Sequence, residues 1–259
     1  MIRTARLSAI EALLQQHGVL STQELASRLE VSAVTVRRDL DAMADAGRIE
    51  RVFGGAALPA DLRETEAIAP ADQPFHEVLA LNAGPKRTVA ELAASRIADG
   101  DTVFLDIGTT VYTLAGLLAD RTLTVVTGSM AVVELLAEAP GIELIILGGE
   151  FNREYRCTQG VAVEDGLRRL PIDRAILGCS GVSESGIVRD TDAVQARIKQ
   201  AAIRAARESW LLADSSKFPG VGGHFAADLS GLDLLVLDRP LDPCSDHLTD
   251  HRPSEVLIP

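Results

Sequence analysis

The sequence has no long apolar run and contains little cysteine and little lysine. None of its apolar stretches approaches the roughly 18–20 residues that a transmembrane helix needs, and the chain starts with polar residues rather than a hydrophobic signal core. These absences argue against secretion and membrane insertion, so we expect a cytoplasmic protein. With 47% apolar and 24% charged residues, the 259-residue chain has the composition of a globular protein of one or two domains.

The three cysteines, Cys157, Cys179 and Cys244, are far apart in the sequence. No Cys-x-x-Cys pair occurs. We therefore expect no metal site and no cofactor. The three thiols are expected to be buried or chemically idle in a reducing cytoplasm.

Lysine supplies only three of the 25 basic residues, namely Lys86, Lys199 and Lys217. Because arginine is the usual base in this chain, each lysine can mark a place where a compact ammonium group is required. Chance retention on the surface explains any single lysine equally well.

The net charge of −12 is unevenly distributed along the chain. Residues 1–58 carry seven arginines and seven acidic residues and are therefore neutral. The remaining residues carry 18 bases and 30 acids and hold the whole net charge. A nucleic-acid partner is therefore compatible with the N-terminal part and implausible for the rest.

Residues 1–57 are predicted to form a winged helix-turn-helix. Apolar residues at helical spacing predict three short helices. The second helix begins with a capping box at Ser21–Glu24, and the third begins after Ser32 and ends near Ala46. Arg48–Ala56 has the apolar residues and the glycine pair of a small hairpin.

Residues 58–84 are predicted to be a linker with one short helix around Phe75–Leu81, and residues 85–259 a second domain. The second domain alternates between apolar strands and helices. This pattern predicts an α/β fold with a parallel sheet covered on both faces, which binds ligands at the carboxyl ends of its strands. The predicted strands are Thr102–Ile107, Leu123–Thr127, Ile142–Leu147, Ala175–Gly178, Trp210–Ala213 and Leu234–Leu237, and the predicted helices include Tyr112–Leu118, Ala131–Ala139 and Ala193–Glu208.

The third helix has the composition of a helix that reads DNA. At 100° per residue, Val36, Leu40 and Met43 form its buried face, and Arg38 points the opposite way. Arginine can bind guanine or a phosphate, and a small apolar group can touch a thymine methyl. The alternative is a solvated helix face with an Arg37–Asp41 ion pair. The expected DNA-binding residues on this helix, at helix N-termini and on the hairpin are Thr22, Ser32, Val34, Thr35, Arg37, Arg38, Arg48 and Arg51.

Loops of glycine and hydroxyl residues follow five predicted strands. After the first strand, Gly108 allows close approach to a ligand, and Thr109 and Thr110 open a helix whose dipole favours a phosphate. Asp106 and Asp214 could accept hydroxyl protons from a polyol. The alternative is a set of ordinary tight turns and strand-end caps. The expected ligand-binding residues in these loops are Asp106, Gly108, Thr109, Thr110, Thr127, Gly128, Ser129, Gly148, Gly149, Gly181, Asp214 and Lys217.

These motifs closely resemble those of the DeoR-type bacterial repressors of sugar catabolism. The matching segments are Val31–Leu40, Gly47–Ala56, Lys86, Leu105–Thr110, Thr127–Ser129, Gly148–Gly149, Lys199 and Asp214–Phe218. The resemblance implies an effector domain like ribose-5-phosphate isomerase that binds a phosphorylated sugar without turning it over, and it adds Lys86 to the expected effector-binding residues. It also implies a homo-oligomer, a dimer or tetramer, that releases its operator when the sugar phosphate binds.

Four positions depart from the family pattern. Phe53 stands where the wing often has histidine, Val78 where an arginine is typical, Gly128 where the second loop usually has asparagine, and Gln195 where glutamate is usual. The last three lie in the effector part, so they bear on which effector is bound and how strong the response is.

The favoured function is a transcriptional regulator, expected to be a repressor, of a carbohydrate catabolic operon. It would bind double-stranded operator DNA and a phosphorylated effector, and we expect no enzymatic activity. The rival is a sugar-phosphate isomerase or deaminase with an added DNA-binding module, since Asp106, Asp214 and Lys217 could move protons. No glycine-rich Asp…Lys catalytic segment and no nearby histidine support that rival. A constitutive DNA-binding protein with a degenerate sensor is the third possibility, suggested by Gly128 and Gln195.

Overall fold

The chain forms two compact units in the computed structural model, residues 1–67 and residues 68–259. We call them the N-terminal unit and the C-terminal unit. The division falls within the segment 58–84 that the sequence assigns to a linker. The structure describes residues 6–7, 9–10, 13–14, 19–29, 31–45, 48–52, 55–57, 75–241 and 253–259.

The N-terminal unit contains a helix-turn-helix and a small antiparallel sheet. Helix α1 (Thr22–Arg28) and helix α2 (Ala33–Asp45) are joined by a short turn. Strands β1 (Val19–Ser21), β2 (Glu50–Val52) and β3 (Gly55–Ala57) pair in the order β1-β3-β2. The predicted hairpin is confirmed, and β1 adds a strand that the sequence did not reveal.

The core of the N-terminal unit is formed by apolar residues at helical spacing. The predicted buried face of α2 is confirmed, because Val36, Leu40 and Met43 are at most 1% exposed. The described residues between 6 and 14 are helical and contribute to the same core. Its buried members are Ile10, Leu14, Leu25, Ala26, Val36, Leu40, Met43, Ile49 and Ala56.

The C-terminal unit is built on a seven-stranded sheet in which every pair of neighbouring strands is parallel. The strands are β4 (Thr102–Leu105), β5 (Leu123–Thr127), β6 (Ile142–Ile146), β9 (Ile172–Leu177), β12 (Ala206–Leu212), β14 (Leu234–Val236) and β15 (Glu255–Leu257). Their order in the sheet is β15-β14-β12-β9-β4-β5-β6. This arrangement confirms the predicted α/β class.

Helices cover both faces of this sheet and enclose two separate cores. Along β4, Val103 and Leu105 belong to one core and Phe104 to the other, as expected from the alternation of side chains along a strand. The helices are α3 (Phe75–Ala80), α4 (Ala83–Arg96), α5 (Thr109–Leu118), α6 (Met130–Leu136), α7 (Val161–Leu167) and α8 (Ala193–Ala205). Residues of α4, α5 and α6 contribute to one core, and residues of α7 and α8 to the other.

The direction of strand succession reverses between β4 and β9. From β4 the chain proceeds outward to β5 and β6, whereas from β9 it proceeds the opposite way to β12, β14 and β15. In open parallel sheets, the loops on the two sides of such a reversal diverge and leave a crevice at the carboxyl ends of the strands. Such a reversal is where open parallel sheets bind their ligands.

Three parts of the C-terminal unit differ from the prediction. The helix predicted at Ala193–Glu208 ends at Ala205, because the following residues form β12 between β9 and β14. Sheet pairing here overrides the helical propensity of an alanine-rich segment. The sequence also missed the hairpin of β7 (Glu150–Asn152) and β8 (Cys157–Gln159). It further missed a small antiparallel sheet formed by β10 (Gly181–Val182), β11 (Ile187–Asp190) and β13 (His224–Asp228).

Candidate functional site

Helix α2 presents polar side chains on the surface of the N-terminal unit. Val34, Arg37 and Arg38 are exposed on the side of the helix away from the core. Ser32 caps the helix, since the Thr35 N–H donates to Ser32 Oγ at 3.2 Å and the two hydroxyl oxygens lie 2.8 Å apart. The expected arginine, valine and hydroxyl groups are thus together at the beginning of one helix.

The other expected DNA-binding residues lie in different surroundings. Thr22 is buried at the first position of α1, and Arg48 is half-buried after α2. The side chain of Arg51 and the whole of Phe53 lie outside the described residues. The hydroxyl of Thr22 is therefore less accessible than that of Ser32.

An ion pair that the sequence did not suggest holds α2 in place. Arg6 Nε donates to Asp39 Oδ2 at 2.5 Å, and Arg6 Nη2 donates to Asp39 Oδ1 at 3.3 Å. This two-point pairing fixes the orientation of a carboxylate better than a single contact does. The two residues line a shallow depression with Val34, Thr35 and Arg38. Asp39 thus connects the expected reading face to the first helical segment.

Replacing Arg38 tests the reading face directly. We expect Arg38→Ala to weaken binding to the specific operator by about 1–3 kcal/mol if the guanidinium contacts a guanine. Fluorescence anisotropy with operator and scrambled duplexes measures this loss. Arg207→Ala is the matched control, because Arg207 is an exposed arginine of the C-terminal unit. Unchanged affinity and sequence preference in Arg38→Ala would show that this side chain does not read a base.

In the C-terminal unit, helix α5 begins at the strand reversal without a side-chain cap. Gly108 precedes it with φ of 116°, a conformation that favours glycine. The first bond within the helix runs from Tyr112 N–H to Gly108 O at 2.9 Å, so the N–H groups of residues 109–111 precede it. Helices α4 and α7 also begin without a side-chain cap, whereas Ser129 caps α6 and Asp192 caps α8. The N-terminus of α5 is therefore well suited to an anion.

A lysine and two carboxylates are buried next to this helix terminus. Lys199 Nζ lies 2.9 Å from Asp106 Oδ2 and 2.7 Å from Asp190 Oδ2. Asp106 Oδ2 also accepts a hydrogen bond from the Gly178 N–H at 3.1 Å. We call Lys199, Asp106 and Asp190 the buried triad. Asp106 therefore joins the ends of β4 and β9, which leaves it less suited to the expected contact with a polyol.

The charges of the buried triad stabilise one another. Burial alone would lower the pKa of Lys199, but its two carboxylate partners hold that pKa above its ordinary value. Burial alone would raise the pKa of Asp190, but Lys199 holds it below its ordinary value. Burial raises the pKa of Asp106. The ammonium group of Lys199 thus remains charged while it is buried.

The other two lysines lie close to Asp214, so all three lysines of the chain lie near this edge of the sheet. Lys86 is buried, and its Nζ donates to the Val78 carbonyl oxygen at 2.5 Å. Burial lowers the pKa of Lys86, and the charges of Asp214 and Lys217 act on it in opposite directions. Asp214 Oδ1 accepts hydrogen bonds from the N–H and hydroxyl of Ser216. Within the described residues, Asp214 Oδ2 is buried and has no hydrogen-bond partner.

Some of the loop residues that were expected to bind a ligand make hydrogen bonds within the protein instead. Thr127 is fully buried, and its hydroxyl donates to Leu105 O at 2.7 Å and accepts from the Ser129 N–H at 3.0 Å. Thr109 and Thr110 are 8% exposed at the start of α5. Thr127 and Ser129 thus hold the ends of β4 and β5 together, whereas Thr109 and Thr110 begin the helix that faces the crevice.

The hairpin β7–β8 lies across the loop that contains Gly128. The Thr158 N–H donates to Gly128 O at 2.8 Å. A Cβ at Gly128 would lie 2.8 Å from Thr158 Oγ1, so a larger residue would require the hairpin to shift. Gln195 Nε2 reaches Cys157 Sγ at 3.3 Å, and the Tyr155 hydroxyl lies 3.0 Å from Thr191 Oγ1. Gly128 and Gln195, two of the positions that depart from the family pattern, therefore both contact this hairpin.

Burial makes the thiols of the described cysteines hard to ionise. Burial raises the pKa of Cys157 to about 11 and that of Cys179 to about 12, so both thiols remain protonated near neutral pH. Cys244 lies outside the described residues. In the part of the chain that the structure describes, no cluster of three His, Cys, Asp or Glu side chains could hold a metal ion. The helices described there also include none that is long and apolar enough to cross a membrane.

Gly148 and Gly149, in the loop after β6, differ in how much space a side chain would have. A Cβ at Gly149 would lie 2.5 Å from Gln159 O, whereas one at Gly148 would meet nothing within 4 Å. We expect Gly149→Ala to destabilise the C-terminal unit by about 1–3 kcal/mol, because the backbone of β8 must move. Urea denaturation of the two variants measures the difference, with Gly148→Ala as the control. Equal stability of Gly149→Ala and Gly148→Ala would contradict the close approach.

Comparison with known proteins identifies both units. Residues 6–61 match the family model described as a DeoR-like helix-turn-helix domain, and residues 81–239 match the DeoR C terminal sensor domain. The HTH-type transcriptional repressor GlcR of Bacillus subtilis is 34% identical over 100% of this chain and 97% of that protein. The Glycerol-3-phosphate regulon repressor of Escherichia coli is 34% identical over 97% of each chain. The L-fucose operon activator of Escherichia coli is 33% identical over 92% of this chain and 96% of that protein.

Similar solved structures are more distant. Ribose 5-phosphate isomerase A of Methanocaldococcus jannaschii is 20% identical over 52% of this chain and 54% of that chain, with a TM-score of 0.40. The eIF2B beta chain of Chaetomium thermophilum is 19% identical over 60% of this chain and 50% of that chain, with a TM-score of 0.43. Both family models match, and the curated relatives match this chain over nearly its full length. The chain therefore belongs to the DeoR family of sugar-operon transcriptional regulators.

Proposed function

We propose that this regulator binds a phosphorylated sugar or a related polyol phosphate in the crevice of its C-terminal unit. Binding of that effector releases double-stranded operator DNA from the N-terminal unit. The observation that carries the proposal is the uncapped N-terminus of α5 at the strand reversal, close to the place where two lysines meet a buried carboxylate.

The phosphate half of the ligand is supported by the positive groups at the crevice. The N–H groups of residues 109–111 point out of the start of α5, and the helix dipole favours an anion there. Lys217 and Lys86 add two ammonium groups near Asp214. Backbone N–H groups combined with a lysine are a common way of binding phosphate.

The hydroxyl half of the ligand is supported by Asp214. Its Oδ2 atom is buried and has no hydrogen-bond partner among the described residues. A buried carboxylate oxygen in this situation is costly unless a donor reaches it. A hydroxyl of a polyol phosphate would supply that donor.

Among the relatives described above, repressors outnumber activators. Two of the three relatives described above are named as repressors and one as an activator. We propose a cytoplasmic homo-oligomer that represses transcription, requires no cofactor and does not turn over its effector. In the two-state view of such a regulator, the effector binds the DNA-incompetent arrangement more tightly.

Operator binding in the presence of candidate effectors tests the proposal. Full-length protein is titrated onto labelled fragments of its own promoter region, and bound complexes are challenged with inorganic phosphate, glycerol 3-phosphate, ribose 5-phosphate and glucose 6-phosphate. We expect at least one phosphorylated polyol to weaken binding by about 5–150-fold while inorganic phosphate has little effect. No specific binding to any fragment of that region would contradict the proposal.

Incubation with candidate substrates separates regulation from catalysis. Purified protein is mixed with ribose 5-phosphate and with glucosamine 6-phosphate, and the products of isomerisation and deamination are followed. We expect no turnover, because Asp106 is bound to Lys199 and no histidine lies in the described loops at this edge. Measurable product formation would favour the enzyme instead.

A further inference from the structure

The corner between α3 and α4 is fixed by a single asparagine. Asn82 has left-handed backbone angles, with φ of 53° and ψ of 35°, and it lies immediately before α4. Its side chain reaches across to the loop after β12, where Asn82 Nδ2 donates to Ser216 Oγ at 3.0 Å and to Asp214 Oδ1 at 3.4 Å. These contacts join segments more than 130 residues apart in the sequence.

Ser216 passes this contact on to the proposed ligand site. Its hydroxyl accepts from Asn82 and donates to Asp214 Oδ1, and its N–H donates to the same oxygen at 3.1 Å. The other oxygen of Asp214 is the one without a described partner. Any ligand that reorients the Asp214 carboxylate must therefore disturb the hydrogen bonds of Ser216 and Asn82.

Helix α3 is held to the same site at two further points. Lys86 Nζ binds the carbonyl oxygen of Val78 in α3. Phe75 of α3 packs edge-on against Tyr112 of α5, with ring centroids 5.3 Å apart and an interplanar angle of 88°. A ligand that engages the ammonium of Lys86 competes with Val78. Helix α3 thus contacts both the lysine and the helix that the proposed phosphate would bind.

We infer that Asn82 is a positioning residue that couples occupancy of the crevice to α3. This inference rests on the proposed function, because it assumes that the crevice binds a phosphorylated effector. Helix α3 is the first described element after residues 58–74, through which the chain arrives from the DNA-binding unit. A change at Asp214 thereby reaches the segment that leads to the operator-binding helix. Asn82 itself is not expected to bind the effector.

The variant Asn82→Gly tests this role without disturbing the backbone. Glycine adopts the left-handed conformation readily, so the substitution removes only the side-chain amide. Arg87→Ala, in the helix that Asn82 precedes, is the matched control, because Arg87 is exposed and its described ion pair is with Glu91. All measurements use the full-length protein.

Hydrogen exchange gives a readout that needs neither ligand nor DNA. In Asn82→Gly we expect amide exchange in residues 75–80 and 214–218 to accelerate by about tenfold or more. The reason is that these segments can open locally without first breaking the hydrogen bonds of the Asn82 side chain. Exchange in β4 and β5 should stay as in the wild type. Wild-type exchange throughout Asn82→Gly would overturn the inference.

A second measurement separates effector binding from its transmission. Using whichever of glycerol 3-phosphate, ribose 5-phosphate or glucose 6-phosphate acts on the wild type, we expect Asn82→Gly to bind it within about threefold of wild-type affinity by calorimetry. The ratio of operator affinities without and with that compound should fall to about twofold or less, compared with the 5–150-fold typical of allosteric coupling. Arg87→Ala should keep the wild-type ratio.

The remaining outcomes are also decisive. If Asn82→Gly loses effector affinity by more than about tenfold while a saturating effector still releases the operator normally, Asn82 is a binding residue and the positioning role is wrong. If none of the compounds affects the wild type but exchange accelerates as expected, the proposed function fails, whereas the mechanical link between Asn82 and the Asp214 loop is supported.

Discussion

Replacing Lys199 with methionine is expected to destabilise the C-terminal unit by about 3–5 kcal/mol. The substitution preserves most of the side-chain volume but removes the only cation of the buried triad. Asp106 and Asp190 would then remain buried without a counter-charge, although Gly178 would still donate to Asp106. Losing one partner of a buried ion pair costs far more than the pair itself contributes.

Urea denaturation measures this loss. Trp210 is the only tryptophan of the chain and is 4% exposed in β12, so its fluorescence reports unfolding of the C-terminal unit alone. The matched control combines Lys199→Met with Asp106→Asn and Asp190→Asn. Because neutral amides remove the uncompensated charge, this triple variant should recover part of the lost stability. A loss below about 1 kcal/mol in Lys199→Met would show that the triad is not held as the structure has it.

Replacing Lys217 with alanine is expected to abolish the response at effector concentrations that release the wild type from its operator, while operator binding persists. Lys217 lies in the loop after β12, close to Asp214 and Lys86, in a unit separate from the reading face of α2. A charge-assisted hydrogen bond to a phosphate contributes about 1.5–3 kcal/mol, so effector affinity should fall by roughly 10–150-fold.

Calorimetry and operator anisotropy with the compound that acts on the wild type check this expectation. Lys217→Arg serves as the control, because it keeps the positive charge and should retain a larger share of the affinity than Lys217→Ala. A dose curve for Lys217→Ala that coincides with that of the wild type would place the phosphate elsewhere in the crevice.

The features that the sequence predicts best are those determined by residues close together in the chain. The buried face of α2 follows from helical periodicity, and the Gly108 loop follows from an apolar strand that runs directly into a helix. The apolar strands likewise predict the sheet class, although not its order. These features need only a few consecutive residues, so local physics is sufficient to find them.

Long-range contacts explain what the sequence could not predict. Lys199 is 93 residues from Asp106, and Asn82 is 134 residues from Ser216, and no local pattern marks either partner. Arg6 and Asp39 meet in the same way across 33 residues. The scarcity of lysine and the family resemblance were the signals available for Lys199, and neither said whether the residue lies in the interior or faces the ligand. For β12, the alanine-rich segment favoured a helix that only the pairing with β9 and β14 prevents.

The junction between α8 and β12 contains no intervening residue, since the helix ends at Ala205 and the strand begins at Ala206. Along β12, Trp210 and Leu212 enter one core while Leu211 enters the other. Inserting or deleting one residue at this point would turn every following side chain to the wrong face of the sheet. The alternation of side chains along β12 therefore sets the length of this connection.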